Sequence, residues 1–200
     1  MMKKILLSSL LLSFTFAATM SFAGTPSGEM MANTCAGCHG PNGISNGPAT
    51  PTIAGISNDY FIETMMAYKT GERPSTIMTR IAKGYSEEEI GAMAAHFSKI
   101  KFVSSPQSYD KLAAKNGKKL HNKYCEKCHE DGGMSTEDDA GILAGQWMPY
   151  LKYSLSDFNS GNREMEKKMG KKLKQLQEKH GDEGLEKLMQ FYASHTKSGE

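Results

Sequence analysis

The sequence predicts an all-α protein built from two small helical domains in tandem. Segments with apolar residues at helical spacing recur along the 200-residue chain, and no strand-rich segment surrounds either copy of its repeated cysteine motif. The chain also repeats itself at an offset of 90 residues. A repeat of that length indicates two domains of the same design.

The N-terminal segment 1–23 has the features of a secretory signal peptide. Two lysines precede an apolar run (5–18), and small residues ending at Ala23 provide a cleavage site. The run is shorter than the roughly 20 residues that a bilayer-spanning helix needs. We therefore expect cleavage after about Ala23, export to the periplasm, and no membrane span in the mature chain.

The charge of the mature chain is balanced. The whole sequence has 24 Lys and Arg against 22 Asp and Glu, and the signal segment removes two lysines and no acid, which leaves 24 − 2 = 22 of each sign. Nucleic-acid-binding domains carry a strong basic excess. We therefore expect no nucleic-acid partner.

Two Cys-x-x-Cys-His motifs contain every cysteine of the chain, with Cys35, Cys38 and His39 in the first and Cys125, Cys128 and His129 in the second. A Cys-x-x-Cys pair serves thiol redox chemistry, zinc binding or covalent haem attachment. Thiol oxidoreductases usually carry one such pair on a βαβ pattern. A zinc ion shared by the four thiolates would leave both histidines unexplained. In haem attachment the thiols bond the porphyrin and the histidine ligates the iron, so the motifs predict two covalently bound haem c groups.

The repeat extends well beyond the two motifs. At the same offset, "IAG" at 53–55 meets "LAG" at 143–145, and five further pairs match: Gly43 and Gly133, Tyr60 and Tyr150, Tyr68 and Phe158, Gly71 and Gly161, Arg73 and Arg163. Each half is therefore predicted to be one haem domain, the first at 24–101 and the second at 109–200. Residues 102–108 lack apolar periodicity and are predicted to be a linker.

Three helices are predicted in each half. The first precedes the motif (27–34 and 109–124), and the second follows a Gly-rich loop (58–70 and 147–159). The third closes the half, and in the first half a Ser86–Glu89 capping box opens it. Apolar stripes at i, i+3, i+4 and i+7 are predicted to face the core: Ile90, Met93, Ala94 and Phe97, and Leu185, Leu188, Met189 and Tyr192.

The sixth iron ligand decides whether a haem is an open catalytic site or a closed electron carrier. Met78 lies between the loop and the terminal helix, where a methionine would complete the Met/His ligation that suits electron transfer. In the second half we assign Met165, with Met169 as the alternative that better preserves the histidine-to-methionine spacing. Surface or locally hydrogen-bonded roles are expected for the remaining histidines: His96, His121, His180 and His195.

Several stretches resemble one family closely. "LAGQWMPYLKYSLSDFNSGNR" and the looser "IAGISNDYFIETMMAYKTGER" resemble tandem di-haem class I cytochromes c. Within that group, "STIMTRIAKGYS", "KLHNKYCEKCH" and "MEKKM" are similar to the cytochrome subunits of flavocytochrome c sulfide dehydrogenases. The resemblance implies two class I cytochrome c domains related by pseudo-twofold symmetry. It also implies that the Pro51 carbonyl accepts a hydrogen bond from His39, with Gly141 at the matching position of the second half.

The function implied by this resemblance is electron transfer rather than catalysis by the chain itself. An FAD-binding flavoprotein subunit would oxidise sulfide, and this chain would carry the electrons to a soluble or membrane-bound acceptor. The alternative is a free periplasmic di-haem cytochrome that shuttles electrons to a terminal oxidase. A haem enzyme such as a peroxidase needs an open axial position, which the two methionines would close.

Overall fold

The computed structural model describes residues 26–136 and 140–195, and all regular secondary structure in these ranges is helical. The predicted signal peptide lies outside them. Two 3₁₀ turns (Asn33–Cys35 and Pro41–Gly43) accompany the α-helices, which are α1 (Gly28–Ala32), α2 (Ala36–His39), α3 (Asn58–Thr70), α4 (Met78–Ala82), α5 (Glu87–Phe97), α6 (Lys111–Tyr124), α7 (Glu130–Gly133), α8 (Met148–Asn159) and α9 (Lys167–Ala193). The all-α prediction is confirmed.

The boundaries of the helices in the first half follow from their capping residues. The Ser57 hydroxyl accepts the Tyr60 N–H at the start of α3, and Gly71 ends this helix in a left-handed conformation with φ of 90°. The predicted capping box of α5 is present: Glu89 accepts the Ser86 N–H at 2.7 Å and returns its own N–H to the serine hydroxyl at 3.2 Å.

Each half has its own apolar core under its terminal helix. The predicted stripe of α5 is fully buried, and in α9 three of its four predicted residues are buried while Leu185 is partly buried. The first and last helices of each half cross where a glycine lets the backbones touch. Gly28 meets the carbonyl of Ala92, and Gly117 meets that of Lys187, so that neither glycine has space for a Cβ.

The loops after the two motifs repeat their hydrogen bonds at the offset seen in the sequence. The Gly43 carbonyl accepts the N–H of Ile53 at 2.8 Å, and the Gly133 carbonyl accepts that of Leu143 at 2.9 Å. The second half departs from the first in its last helix, because α9 runs from Lys167 through a break at Gly181, with φ of 56° and ψ of −159°, where the first half has the separate helices α4 and α5.

Polar contacts join the halves. Gln146, only 3% exposed, accepts the Thr52 N–H at 3.0 Å and donates to the Thr52 carbonyl at 2.7 Å. The Trp147 indole donates to the Ser45 carbonyl at 3.3 Å. The predicted linker contains no helix. Phe102 at its start packs against the core of the first half, and Gln107 near its end donates to the Gln146 carbonyl at 2.6 Å. In the described ranges no helix has both the length and the apolar character needed to cross a bilayer.

Candidate haem sites

The first Cys-x-x-Cys-His motif lies on a short helical turn that also carries its histidine. Cys35 ends the 3₁₀ turn, and Cys38 and His39 belong to α2. Residues three apart on a helix share one face, so both thiols are directed to the same side. Cys38 is exposed, while Cys35 is partly buried against the first core.

His39 is held with one ring nitrogen committed to the protein. Its side chain is 8% exposed, and Nδ1 lies 2.8 Å from the Pro51 carbonyl. Because a carbonyl oxygen can only accept, Nδ1 carries the proton and Nε2 keeps a lone pair. Burial lowers the pKa of His39, although the bond to Pro51 opposes this. The ring is therefore in the neutral form that ligates metals, and the hydrogen bond expected from the resemblance is present.

The histidine of the second motif has no such support. His129 Nδ1 is buried and lacks a hydrogen-bond partner among the described residues. Burial lowers the pKa of His129, and the neighbouring His121 lowers it further. Gly141 stands where the first half has Pro51, and a Cβ there would come within 2.5 Å of Cζ in the Tyr60 ring. Tyr60 of the first half thus occupies the space that a proline ring would need.

The turn that carries Met78 is held by two hydrogen bonds between side-chain hydroxyls and backbone N–H groups. The Ser75 hydroxyl accepts the Met78 N–H at 3.1 Å, and the Thr79 hydroxyl accepts the Ser75 N–H at 3.0 Å. Met78 is the first residue of α4 and packs against the first core. The sequence prediction thus corresponds to a residue held at the start of a helix, and its role as an iron ligand stays a prediction.

The two candidate methionines of the second half lie on either side of the start of α9. Met165 precedes the helix, whereas Met169 is inside it. The Met165 sulfur lies near Gly170, where an added Cβ would be 3.4 Å away from it. No side chain caps this helix start. The assignment of Met165, with Met169 as the alternative, therefore stays a prediction.

A cluster of arginine and tyrosine side chains lies between the halves. Arg73, 6% exposed, donates to the Tyr150 hydroxyl at 3.3 Å, and its guanidinium lies 4.9 Å from the centre of the Tyr68 ring. In the second half the Arg163 guanidinium lies 4.2 Å from the centre of the Phe158 ring. Arg163 also interacts with Tyr60 of the first half. Among the described residues neither arginine forms an ion pair with a carboxylate, so the buried Arg73 and the half-buried Arg163 have no protein counter-ion there.

His121 differs most from its sequence expectation. It is hydrogen-bonded, as one of its two expected roles requires, but it is completely buried rather than at the surface. Burial lowers its pKa, while the hydrogen bond that His121 donates to Glu126 opposes this. The signal was present in the sequence, because Ala114, Gly117 and Tyr124 place His121 on the buried face of α6.

The structure also tests the competing chemistries for the cysteines. None of the four cysteines forms a disulfide. In the described part of the chain no three His, Cys, Asp or Glu side chains gather where they could hold a metal ion. The four cysteines therefore do not form the shared zinc site that was one alternative, because such a site needs them around one ion.

The residues present fit a haem c in each half. Each motif offers two thiols on one side of a turn and a neutral histidine, buried in the first half and half-buried in the second. The positive charge of Arg73 suits an anionic group such as a haem propionate. His129 departs from the usual arrangement of a ligand histidine, because its Nδ1 lacks a hydrogen-bond partner among the described residues and only its other nitrogen would ligate the iron.

Comparison with known proteins agrees with this description. The cytochrome c family model matches residues 28–101. Cytochrome c4 of Pseudomonas aeruginosa is 31% identical over 168 residues, which cover 79% of this chain and 83% of that protein. The cytochrome subunit of sulfide dehydrogenase of Chlorobaculum tepidum is 42% identical over 73 residues, or 36% of this chain and 66% of that protein.

A solved structure supports the same relationship over most of the chain. The crystal structure of reduced recombinant cytochrome c4 from Pseudomonas stutzeri superimposes with a TM-score of 0.70 at 25% identity, covering 83% of this chain and 95% of that one. Both halves of this chain are therefore included in the likeness. The chain belongs to the family of di-haem cytochromes c that includes cytochrome c4, and it is an electron carrier of that family.

Proposed function

We propose that the chain binds one haem c in each half through its own motif. Cys35 and Cys38 would attach the first haem, with His39 and Met78 as axial ligands. Cys125, Cys128 and His129 would hold the second, with Met165 as the sixth ligand. A bound haem c supplies a one-electron iron couple, and filling both axial positions keeps substrates away from the iron.

We further propose that Arg73 and Arg163 neutralise the haem propionates. Arg73 is buried and Arg163 is half-buried, and a guanidinium withdrawn from water without a carboxylate partner is costly unless an anion pairs with it. The Arg73–Tyr150 bond and the matching interaction of Arg163 with Tyr60 both cross between the halves. Two propionate groups held there would bring the edges of the two haems close together, which favours electron exchange within the chain.

The electron donor we propose is an FAD-containing subunit that oxidises sulfide. The supporting observation is the 42% identity to a sulfide dehydrogenase cytochrome subunit, which exceeds the 31% identity to cytochrome c4. Sulfide oxidation releases electrons in pairs, and a flavin can take two and release them singly. The chain would accept them one at a time and deliver them to an external acceptor, which we place with it in the periplasm.

A free electron shuttle is the second candidate. It is favoured by the length of the likeness to cytochrome c4, which spans 79% of this chain, whereas the match to the sulfide dehydrogenase subunit spans 36%. The proposed ligands are the same in both cases. The two functions therefore differ in the partner and not in the haem sites.

Reconstitution distinguishes the two candidates. The purified holo-cytochrome is mixed with a flavoprotein that co-purifies with it, sulfide is added, and haem reduction is followed by absorbance with both proteins at catalytic levels. We expect rapid reduction only when the flavoprotein is present. Equal rates without it, or no flavoprotein in native purification, would contradict the subunit function and favour the free shuttle.

A further inference from the structure

A continuous polar chain runs from the surface of the second half to the sulfur of Cys125. The Glu126 carboxylate bonds Nε2 of His121, and Nδ1 of the same ring lies 3.0 Å from the Tyr192 hydroxyl. The Cys125 side chain packs against the core cluster that contains Tyr192, with the tyrosine hydroxyl as its hydrogen-bonding neighbour. His121 and Tyr192 are 0% and 3% exposed, whereas the Glu126 side chain is 41% exposed, so only the carboxylate reaches water.

The hydrogen-bond donors in this series of side chains all point away from the cysteine. A carboxylate only accepts, so His121 donates from Nε2 and its Nδ1 must accept the Tyr192 hydroxyl proton. The tyrosine oxygen then presents its lone pairs toward the Cys125 sulfur. Hydrogen bonds in series polarise one another, so the negative charge of Glu126 increases electron density at the tyrosine oxygen.

The described residues of the first half include no counterpart of this series of hydrogen bonds. If the halves are aligned on their cysteine motifs, the residue that matches His121 is Met31. If they are aligned on the glycines at the helix crossings, the match is Ala32. Both residues are buried and apolar. Phe97 matches Tyr192, because the Gly55 N–H bonds the Phe97 carbonyl as the Gly145 N–H bonds that of Tyr192, each at 2.9 Å. Ala36 stands in place of Glu126. The two attachment cysteines thus have different electrostatic surroundings.

We infer that Glu126, His121 and Tyr192 form a relay that lowers the reduction potential of the second haem relative to the first. Ferric haem carries one positive charge more than ferrous haem, so negative electrostatic potential beside the attachment sulfur stabilises the oxidised state. Of the three residues only Tyr192 is placed against the cysteine side chain, and none of them is an iron ligand, so they are positioning residues for electron transfer. The relay would favour an electron residing on the first haem. This inference rests on the haem attachment proposed above.

The test is a spectroelectrochemical titration of the holoprotein and two conservative variants. Tyr192→Phe removes one hydroxyl and restores the residue type of the first half, and Glu126→Gln removes a half-exposed charge, so both variants retain the fold. Glu178→Gln, an exposed carboxylate elsewhere on α9, is the matched control. The one-electron waves are assigned by repeating the titration in a Met78→Ala background, which moves only the first. Intact mass counts the haems in every sample.

We expect each relay variant to raise the potential of the second haem and leave the first unchanged. The equilibrium constant for electron exchange between the haems should shift at least about threefold toward the second haem. This corresponds to a change of about 28 mV in the difference between the two reduction potentials, at 59 mV for each tenfold change. Glu178→Gln should shift it by less than half of that. The inference is wrong if two haems are present and both relay variants titrate as wild type, or if both waves move together. A chain that carries no second haem overturns both this inference and the proposed attachment.

Discussion

Arg73 of the first half donates a hydrogen bond to the Tyr150 hydroxyl of the second half at 3.3 Å, and Arg163 interacts with Tyr60 in the opposite direction. Each half therefore supplies an arginine to a tyrosine of the other. The four residues are two pairs at the sequence offset of 90, so the exchange follows the pseudo-twofold relation of the halves.

Replacing Arg73 with glutamine in the holoprotein should lower the free energy of unfolding by about 3–5 kcal/mol, because it removes the buried cation that we propose to pair with a haem propionate. Denaturant unfolding of the ferric protein measures this change. Arg80→Gln, at an exposed position, is the control and should change it by less than about 0.5 kcal/mol. Equal effects of the two substitutions would show that the buried cluster adds nothing to stability.

Gln146 makes the most complete contact between the halves, because both ends of its amide bond the backbone of Thr52. Gln146→Ala leaves a buried N–H and a buried carbonyl without partners, which should lower stability by about 1–3 kcal/mol for each group. Gln175→Ala, on the partly exposed face of α9, is the control. A wild-type unfolding midpoint for Gln146→Ala would contradict the contact between the halves.

Replacing Cys35 and Cys38 together with serine should give a protein with a single covalent haem. Replacing Cys125 and Cys128 should do the same, since each motif serves its own half. Intact-mass measurement after acid–acetone extraction counts the groups that remain bound. Loss of both haems from one double variant, or haem extracted from the wild type, would contradict independent covalent attachment.

Met78→Ala should open the first iron to added ligands and lower its potential, because the thioether that favours ferrous iron is lost. In the second half, Met165→Ala should have the same effect and Met169→Ala should not. Absorption spectra with an added ligand such as imidazole report the opening. If only Met169→Ala changes the second haem, Met169 is the ligand.

Local signals in the sequence predict much of the fold. The predicted helix 58–70 corresponds to α3 (Asn58–Thr70) and the Ser86–Glu89 box is present, because caps and apolar spacing act within a few residues. The hydrogen bond from His39 to Pro51 was expected from the family resemblance and not from the residues alone. The motifs themselves predicted the pairing of cysteines with histidines in each half.

Contacts between distant segments could not be predicted in this way. Tyr60 fills the space beside Gly141 because of the way in which the two halves pack. The sequence offset of 90 residues does not indicate which residues of one half contact the other half. His121 was expected to be at the surface or locally bonded because histidine is polar, yet Tyr192 and Glu126 satisfy both of its nitrogens in the core. A buried polar residue is tolerated only with such partners, and these lie up to 71 residues away along the chain.

Native purification with an absorption spectrum tests the central claim most directly. A chain that accepts electrons from a sulfide-oxidising flavoprotein should co-purify with that protein, and the complex should contain one FAD for every two haems c. Bleaching of the flavin band and reduction of the haem bands should both follow the addition of sulfide. Purification of the cytochrome with two haems and no flavin, together with no reduction by sulfide in any fraction that contains it, would contradict the claim.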